Sequence, residues 1–418
     1  MALTIPALHV GCAAAPPPPP PPATARADRA SQLAAARRLA GEGWRATASA
    51  IYQTLLSADP NDDEARAGVA RLEAWQGRYD DADARYRAIL SRHPDDAEVR
   101  AGLVDTLLWR ARWDDARAQI DEGLRRVPES APLLERLARL HAWHGDAPRA
   151  RAAIDRAARA APDHPDLTVL RDRTFDGEAR LIGRYDLFPA STADTGAVDL
   201  FVSQCLGRLT LVAHSEQSMR LVTGGTAYNG MYSLAASYAF GVGWGASLEA
   251  GFGAPAPVIP AWTARASVTA ALARPLSASL AYAFWSYASG QRVQLVNPAL
   301  SLTVTDTLRF EARYGLALVA SPGLDLAAVH TAGLRAVWRV APRVDVGAEY
   351  LFGNQVDRVP TADQLTTLQS HIGSAWLDWL ASRAFGLRPL YRLERRENLT
   401  TGAAYLIHSV EASVYTRW

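Results

Sequence analysis

Four prolines recur at a constant interval in the first half of this 418-residue chain, and this regularity restricts the fold more than any other feature. Pro60, Pro94, Pro128 and Pro162 follow one another every 34 residues, which is the period of the tetratricopeptide repeat. Each such repeat is a pair of helices, and proline ends the second helix because it has no backbone donor. About three repeats suffice to bury a continuous core. The interval therefore predicts a four-repeat α-solenoid over residues 28–165.

Three other columns of residues keep the same register. Small residues stand at the turn between helices and where the two helix axes come close, and larger residues follow one turn later. The turn column is Gly43, Gly77, Ala111 and Gly145; the close-approach column is Ala48, Ala82, Ala116 and Ala150; the third column is Tyr52, Tyr86, Ile120 and Ile154.

A tryptophan column, Trp75, Trp109 and Trp143, accompanies the repeats. One interpretation is that these indoles pack between neighbouring repeats. The other is that they line the concave groove of the solenoid and stack against a sugar chain, with arginines as hydrogen-bond donors beside them. The sequence leaves both interpretations open. The three tryptophans are therefore the candidate residues for binding a partner protein or a glycan through the repeats.

From Gly177 onward the side chains alternate with a period of two, which is typical of strands with one wet face. The last strand, residues 410–418, places valine and alanine on one face and Glu411 and Arg417 on the other. Strands of this kind, with aromatic residues towards their ends, fit a barrel that is apolar outside and polar inside. No apolar run reaches the roughly 18 to 20 residues of a spanning helix. We therefore expect an antiparallel transmembrane β-barrel over residues 177–418.

The turn signals give a tally of fourteen strands, with twelve as the alternative if residues 199–220 pair differently. Short and long connections alternate along the chain. Short ones are predicted near Gly241, Arg274, Asp306, Ala341 and Ser382, and longer ones near Thr192, Gly224, 255–260, 321–323, 354–361 and 398–402. In outer-membrane barrels the short turns face the periplasm and the long loops face the exterior. The repeats precede the first strand, so they are expected in the periplasm.

Charged side chains of both signs fall on the predicted inner face. They are Arg180, Arg184, Arg309, Glu311, Arg313, Arg388, Arg392, Glu394, Glu411 and Arg417. Opposite charges at this spacing can link across the interior, so one interpretation is a structural network that supports the wall. The alternative is a constriction that selects or gates what passes.

The N-terminus resembles an export signal, and the composition excludes several classes of protein. Residues 1–25 contain a short apolar core and a proline run, as in a secretory signal followed by a stiff spacer, and Cys12 stands where a lipoprotein would be lipidated. The net charge of +1 gives no case for nucleic acid. No lysine occurs, which excludes Schiff-base chemistry and a P-loop lysine. We expect no cofactor and no metal site.

Two phrases point to a known family. AWQGRYDDA (Ala74–Ala82) in the repeats and YAFWSYASGQRVQLVNPALSL (Tyr282–Leu302) in the predicted barrel, with the aromatic C-terminal strand, resemble the YaiO family of outer-membrane β-barrel proteins in its repeat-bearing form. The resemblance covers nearly all of the chain after the proline run. Similar layouts occur in exporters of cellulose and poly-N-acetylglucosamine, whose barrels are larger than this one. The resemblance implies no catalytic residues.

These observations lead to competing functions. The first is a non-enzymatic outer-membrane protein whose periplasmic repeats dock an envelope protein or glycan and assist export or surface presentation of a polysaccharide. The second is a narrow porin-like or structural barrel, which could also serve as a surface receptor for phage. A lipid-hydrolysing enzyme is disfavoured because His214, Glu216 and Ser218 share a face but are spaced too widely along one strand. The expected partners are outer-membrane lipid and, through the C-terminal strand, the barrel-assembly machinery.

Overall fold

The structure, a computed structural model, describes residues 29–162, 165–189, 194–222, 225–253, 259–273, 275–305, 307–323, 325–353 and 368–418. The chain divides into two compact units, Met1–Arg136 and Leu137–Trp418. The signal-like segment expected at residues 1–25, with Cys12, lies outside the described residues.

Helices fill the first part of the described chain. They are α1 (Arg29–Gly41), α2 (Arg45–Ala58), α3 (Asp63–Trp75), α4 (Tyr79–Arg92), α5 (Ala97–Trp109), α6 (Trp113–Arg126), α7 (Ala131–Trp143), α8 (Ala147–Ala160) and the short α9 (Pro165–Arg173). The first eight form the four predicted hairpins, so the solenoid is confirmed. No helix of the described residues is long and apolar enough to span a membrane.

Local capping fixes where the helices begin. Asp62 and Asp96 occupy the same place in successive repeats, and their carboxylates accept the backbone N–H groups of Ala65 and Val99 at 3.0 and 2.9 Å. An aspartate at this position satisfies one of the donors that the first helical turn leaves free. Asp62 also accepts two hydrogen bonds from Arg29 of the preceding repeat, at 2.7 and 2.8 Å. The cap therefore also ties one repeat to the next.

The turn column adopts a left-handed backbone in all four repeats. The φ angles of Gly43, Gly77 and Gly145 are 91°, 81° and 72°, and that of Ala111 is 56°. Glycine takes this conformation without steric cost, whereas alanine does so with its Cβ close to the following carbonyl oxygen. The third repeat therefore has the same turn as the others but with a strained residue.

The third column contains two tyrosines in close contact with glycine. The rings of Tyr52 and Tyr86 are almost completely buried. A Cβ placed on Gly68 would lie 2.3 Å from the Tyr52 ring, and one on Gly102 would lie 2.7 Å from the Tyr86 ring. Burial raises the pKa of Tyr86 to about 12. Glycine is needed at these two places because the ring occupies the volume of a side chain.

Ala111→Gly should raise the free energy of unfolding of the repeats by about 0.5–1 kcal/mol, because it removes the Cβ from a left-handed residue. Gly77→Ala is the matched control: a Cβ there would meet nothing within 4 Å, so only the backbone conformation opposes it. We expect that control to cost about 1 kcal/mol. Urea unfolding of the full-length protein in detergent, followed by circular dichroism at 222 nm, measures both. A loss of stability in Ala111→Gly would contradict the assignment of strain to this turn.

Strands fill the rest of the chain. They are β1 (Gly177–Leu187), β2 (Thr195–Leu206), β3 (Leu209–Val222), β4 (Gly225–Gly241), β5 (Trp244–Gly253), β6 (Trp262–Ala273), β7 (Leu276–Ser286), β8 (Arg292–Thr303), β9 (Leu308–Ala320), β10 (Ala327–Ala341), β11 (Val344–Gly353), β12 (Leu368–Trp379), β13 (Phe385–Asn398) and β14 (Ala404–Arg417).

Every strand pairs antiparallel with its sequence neighbours, and β1 closes the ring against β14. The closing ladder runs from Glu178 opposite Arg417 to Leu187 opposite His408. Residues 199–220 form part of the β2–β3 hairpin, so the described barrel has fourteen strands and the twelve-strand alternative is wrong. The fold class predicted from the alternating pattern is confirmed.

The outer face of the barrel is apolar. Leu234 and Leu248 are 70% and 68% exposed, and Leu334 and Trp338 are more than half exposed. Leucine, tryptophan, tyrosine and phenylalanine on almost every strand share this outward face. An apolar surface that surrounds a closed barrel fits contact with lipid, since closure leaves no unpaired strand edge.

The connections differ at the two ends of the barrel. At the end where β1 begins, they span 207–208, 242–243, 274–275, 304–307, 342–343 and 380–384; at the other end they span 188–194, 223–224, 254–261, 287–291, 321–326, 354–367 and 399–403. The longer connection expected near Gly224 is wrong, because the ladder continues to Val222 opposite Gly225. The other connections expected to be long lie at one end, as predicted, but the connection at 380–384, expected to be short, is as long as the one at 399–403.

Within the second unit, hydrogen bonds join α9 and the residues that follow it to the barrel. The N–H groups of Asp176 and Gly177 donate to the carbonyl oxygen of Trp418 at 2.6 and 3.2 Å, so the start of β1 is held by the end of β14. Arg343, in the connection between β10 and β11, binds the buried carboxylate of Asp172 of α9 at 2.6 Å. Asp172 raises the pKa of Arg343, which stays charged.

Candidate functional site

The inner face of the barrel carries several connected charge clusters, of which the first lies at the closing strands. Glu178 accepts hydrogen bonds from Arg180 at 2.9 Å and Arg417 at 2.7 Å. Both guanidinium groups stack on the buried ring of Tyr415, at 4.3 and 4.7 Å from its centre. The Tyr415 hydroxyl in turn donates to Asp378. Two predicted inner-face arginines thus share one carboxylate and one ring.

The second cluster lies on β12 and β13. The Glu394 side chain is 0% exposed and accepts hydrogen bonds from the hydroxyl of Ser370 and from Arg396, both at 2.7 Å. Arg396 is itself buried. Arg392, on the same face of β13, donates to the hydroxyl of Ser374 at 3.4 Å. A buried pair that is hydrogen-bonded on several sides is expected to fix local geometry.

The third cluster surrounds Glu349 and Trp376. Glu349 contacts two guanidinium groups: it accepts a hydrogen bond from Arg313 and lies 3.4 Å from Arg335. The buried ring of Trp376 is contacted by Arg335 and Arg388, each 5.1 Å from its centre. An indole face attracts a guanidinium through its quadrupole. Three arginines from three strands are therefore held together by one carboxylate and one ring.

Arg184 and Glu411 occupy the wall next to the closing ladder. Arg184 lies 3.6 Å from the carboxylates of Asp186 and Glu216, and Glu411 faces Arg184 directly in the ladder. These distances allow ion pairing, and the alternation of the strands places all four side chains on the inner face.

Glu311 and Arg309 complete the predicted set on β9. Glu311 accepts a hydrogen bond from Ser301 at 3.3 Å, and Arg309 is exposed. By strand alternation the structure places all ten predicted residues on the inner face, and it brings most of them into the clusters above. Their positions are compatible both with a network that supports the wall and with a constriction that selects a solute.

Two neighbouring cavities lie in the part of the lumen that the structure describes. One has a volume of about 630 Å³ and the other of about 350 Å³, and both are lined by Arg265, Trp285, Leu295 and Asn297. These values fall within the range of about 300–1,000 Å³ typical of small-molecule sites. The side chains that the structure describes thus leave open space at this level of the interior.

The tryptophan column occupies equivalent places in three repeats. Trp75, Trp109 and Trp143 are the last residues of α3, α5 and α7, and all three are half-buried. Trp75 packs against the core of the first repeats, and Arg45 lies 5.6 Å from its ring centre. Each indole keeps part of its surface accessible, which suits both packing and contact with a ligand.

Ionised and buried groups also occur in the repeats. Asp83 lies within 4 Å of Arg110 and Arg112, yet burial dominates and raises its pKa. Arg100 is buried and binds Gln119 and the carbonyl oxygen of Pro94 at 2.8 and 2.7 Å; burial lowers its pKa. These groups are polar exceptions in a mostly apolar interior between the helices.

His214, Glu216 and Ser218 line the smaller lumenal cavity and do not face lipid. The His214 ring binds Asp199 at 3.1 Å and stacks on Phe201, with 3.9 Å between ring centres. Among the described residues no group of three or more His, Cys, Asp or Glu side chains is placed to hold a metal ion.

Sequence reasoning missed Arg335 and Trp376 as members of the inner network. Both follow from strand alternation, since Arg335 lies directly opposite Glu311 and Glu349, and Trp376 shares a face with Asp378. Because tryptophan in such strands more commonly faces lipid, its pattern alone does not indicate that Trp376 contacts arginines inside the barrel. The outward face also carries three Tyr–His pairs, Tyr314–His330, Tyr350–His371 and Tyr391–His408.

The fold and the inner face define a membrane-spanning β-barrel protein with tetratricopeptide repeats. The tetratricopeptide repeat family model matches residues 76–134. No curated protein matches the chain. The helical part is similar to a thermophilic tetratricopeptide-repeat protein from Thermus thermophilus, at 20% identity over 35% of this chain and 81% of that chain, with a TM-score of 0.33.

The barrel is similar to solved outer-membrane proteins. With the monoaromatic hydrocarbon channel CymD it shares 10% identity over 60% of this chain and 90% of that chain, with a TM-score of 0.42. With a bacterial polysaccharide outer membrane secretin it shares 12% identity over 58% of this chain and 98% of that chain, with a TM-score of 0.38. With an anion-selective porin from Comamonas acidovorans it shares 12% identity over 58% and 98%, with a TM-score of 0.33.

Glu394→Gln should destabilise the barrel by about 3–5 kcal/mol, because it leaves the buried guanidinium of Arg396 without its carboxylate. Glu397→Gln, on the same strand, is the matched control: Glu397 pairs with the half-exposed Arg395 at 2.8 Å, and loss of such a pair costs about 0–1 kcal/mol. The two variants are compared by urea unfolding of the refolded protein. The folded fraction is read from heat-modifiable migration in electrophoresis. Equal effects would show that the buried Glu394–Arg396 pair contributes no more to stability than the half-exposed pair.

Proposed function

We propose that this chain is a non-enzymatic member of the YaiO family of outer-membrane barrels, which assists export or surface presentation of a polysaccharide. The observation that carries the proposal is the union, in one chain, of a four-hairpin solenoid and a closed barrel with space in its lumen. A solenoid offers an extended binding surface, for which a simple diffusion pore has no use.

The repeats are the proposed docking element. They would bind an envelope protein or a glycan, with Trp75, Trp109 and Trp143, which recur every 34 residues in the sequence, as stacking platforms. Support comes from the equivalent, half-buried position of the three indoles and from Arg45 beside Trp75. Aromatic residues with part of their surface accessible are frequent centres of binding energy.

The repeats would lie in the periplasm and the longer connections outside the cell. The support is the asymmetry of the barrel: short connections occur at the end where β1 begins, and most long ones at the other end. The apolar outer face would contact outer-membrane lipid. The C-terminal strand β14, with its terminal aromatic Trp418, would be the segment that the barrel-assembly machinery recognises.

A narrow porin-like barrel, which could also be a receptor for phage, is the second candidate. The two lumenal cavities favour it, since they leave room for a small solute between the charge clusters. In that case the repeats would bind another envelope protein without any role in glycan export.

Deletion of the gene in its host should lower the amount of secreted and cell-surface polysaccharide, and the full-length chain should restore it. Trp109→Leu tests the groove, because leucine keeps apolar packing but removes the indole face. We expect the variant to restore markedly less polysaccharide, since loss of a central aromatic residue commonly weakens binding about tenfold or more.

Trp113→Leu provides the matched control, because Trp113 is also half-buried but begins α6 and stands outside the column. It should restore polysaccharide fully at the same protein level in the membrane. Unchanged polysaccharide in the deletion strain would reject the export function and favour the pore, to be measured by single-channel conductance. Equal behaviour of the two leucine variants would reject the groove assignment.

A further inference from the structure

The larger lumenal cavity has an uneven distribution of charge. Its lining contains the guanidinium groups of Arg265, Arg313, Arg335 and Arg392 but only two carboxylates, those of Glu311 and Glu349. Arginine carries its charge permanently, so this part of the wall has an excess of positive charge at every physiological pH. A cavity with such a lining attracts an anion more strongly than a neutral solute of the same size.

The two carboxylates are already engaged by the wall. Glu349 contacts Arg313 and Arg335, and Glu311 accepts the hydroxyl of Ser301. Glu349 therefore holds two arginines in place, and Glu311 holds Ser301. The excess positive charge therefore remains for a group that enters from the lumen.

Arg265 is the guanidinium that is best placed for a ligand. It is exposed to the lumen, lines both cavities, and forms no ion pair or hydrogen bond with any described residue. Its donors are thus available without breaking an existing contact. A guanidinium binds carboxylate in a bidentate manner, which adds both strength and direction.

The rest of the lining suits a sugar. Ser279, Asn297 and Thr331 supply hydroxyl and amide groups, and Trp285 offers part of an indole surface between the two cavities. Hydroxyl and amide groups bond to sugar hydroxyls, whereas an aromatic face packs on the C–H side of a pyranose ring.

The smaller cavity carries the opposite balance. Glu216 and Glu249 line it together with His214 and the shared Arg265. A carboxylate would be repelled by that wall and attracted by the arginines of the larger cavity. The two walls thus differ in the charge that they present to a solute in the lumen.

We propose that the larger cavity is a binding site for an acidic sugar unit, whose carboxylate pairs with Arg265 and the neighbouring arginines and whose ring lies near Trp285. This inference rests on the proposed function and narrows it to uronate-bearing polysaccharide. The contacts are reversible, and no covalent step is involved.

A binding titration of the full-length protein in detergent tests the site. The probes are a hyaluronan tetrasaccharide, which carries glucuronate, and neutral chitotetraose of the same length, at about 0.15 M salt. We expect the acidic probe to bind at least about tenfold more tightly, and Arg265→Gln to remove most of that preference. Arg265→Lys keeps the charge and should retain part of it.

Arg309→Gln is the matched control, because Arg309 is exposed on the inner face by strand alternation but does not line either cavity. It should leave the preference unchanged. Equal binding of the two probes, or an equal loss in Arg309→Gln and Arg265→Gln, would overturn the site. Correct folding of each variant is checked by heat-modifiable migration.

The outcome is separable from that of the export experiment. The titration uses purified protein without host or partner, whereas export is read from surface polysaccharide in cells. Loss of polysaccharide on deletion together with no preference for the acidic probe would reject the cavity assignment and leave the proposed function intact. A clear preference without any export defect would reject the export function alone.

Discussion

Closure of the barrel between β1 and β14 is the constraint on which the second unit depends. Every backbone group of a strand in lipid needs a partner, and only a closed ring supplies one for the first and last strands. Three sets of contacts act together at the seam, the junction of β1 and β14. They are the ladder, the hydrogen bonds from Asp176 and Gly177 to Trp418, and the carboxylate of Glu178 between Arg180 and Arg417. The seam also holds the chain where it leaves α9.

The interior of the barrel combines rigid and accessible regions. Buried pairs such as Glu394–Arg396 and the contacts of Trp376 with two arginines fix the wall between β10 and β14. The facing positions of β4 to β8 are mainly small or hydroxylic residues, and the cavities lie beside them. The larger cavity lies where the charged wall meets these small residues, so its arginines border open space.

Much of this arrangement could be predicted from the sequence, because it follows from periods. A 34-residue interval defined the helical hairpins, and a two-residue alternation defined the strands and placed ten charged residues on one face. Partners across strands could not be predicted, since they depend on register. Alternation places Arg335 and Trp376 on the inner face, but their contacts with Glu349 and Arg388 depend on how the strands align. For the same reason the connection near Gly224 was expected to be longer than it is.

The most direct test is to measure the accessibility of nitroxide labels placed one at a time at residues 246–250 of β5. Cys12 and Cys205 are first replaced by serine, and each labelled protein is placed in lipid bilayers. The structure predicts that oxygen dissolved in lipid reaches labels at Ala246, Leu248 and Ala250, and that a water-soluble nickel complex reaches those at Ser247 and Glu249. Accessibility without this two-residue alternation would contradict a lipid-facing barrel with a polar lumen.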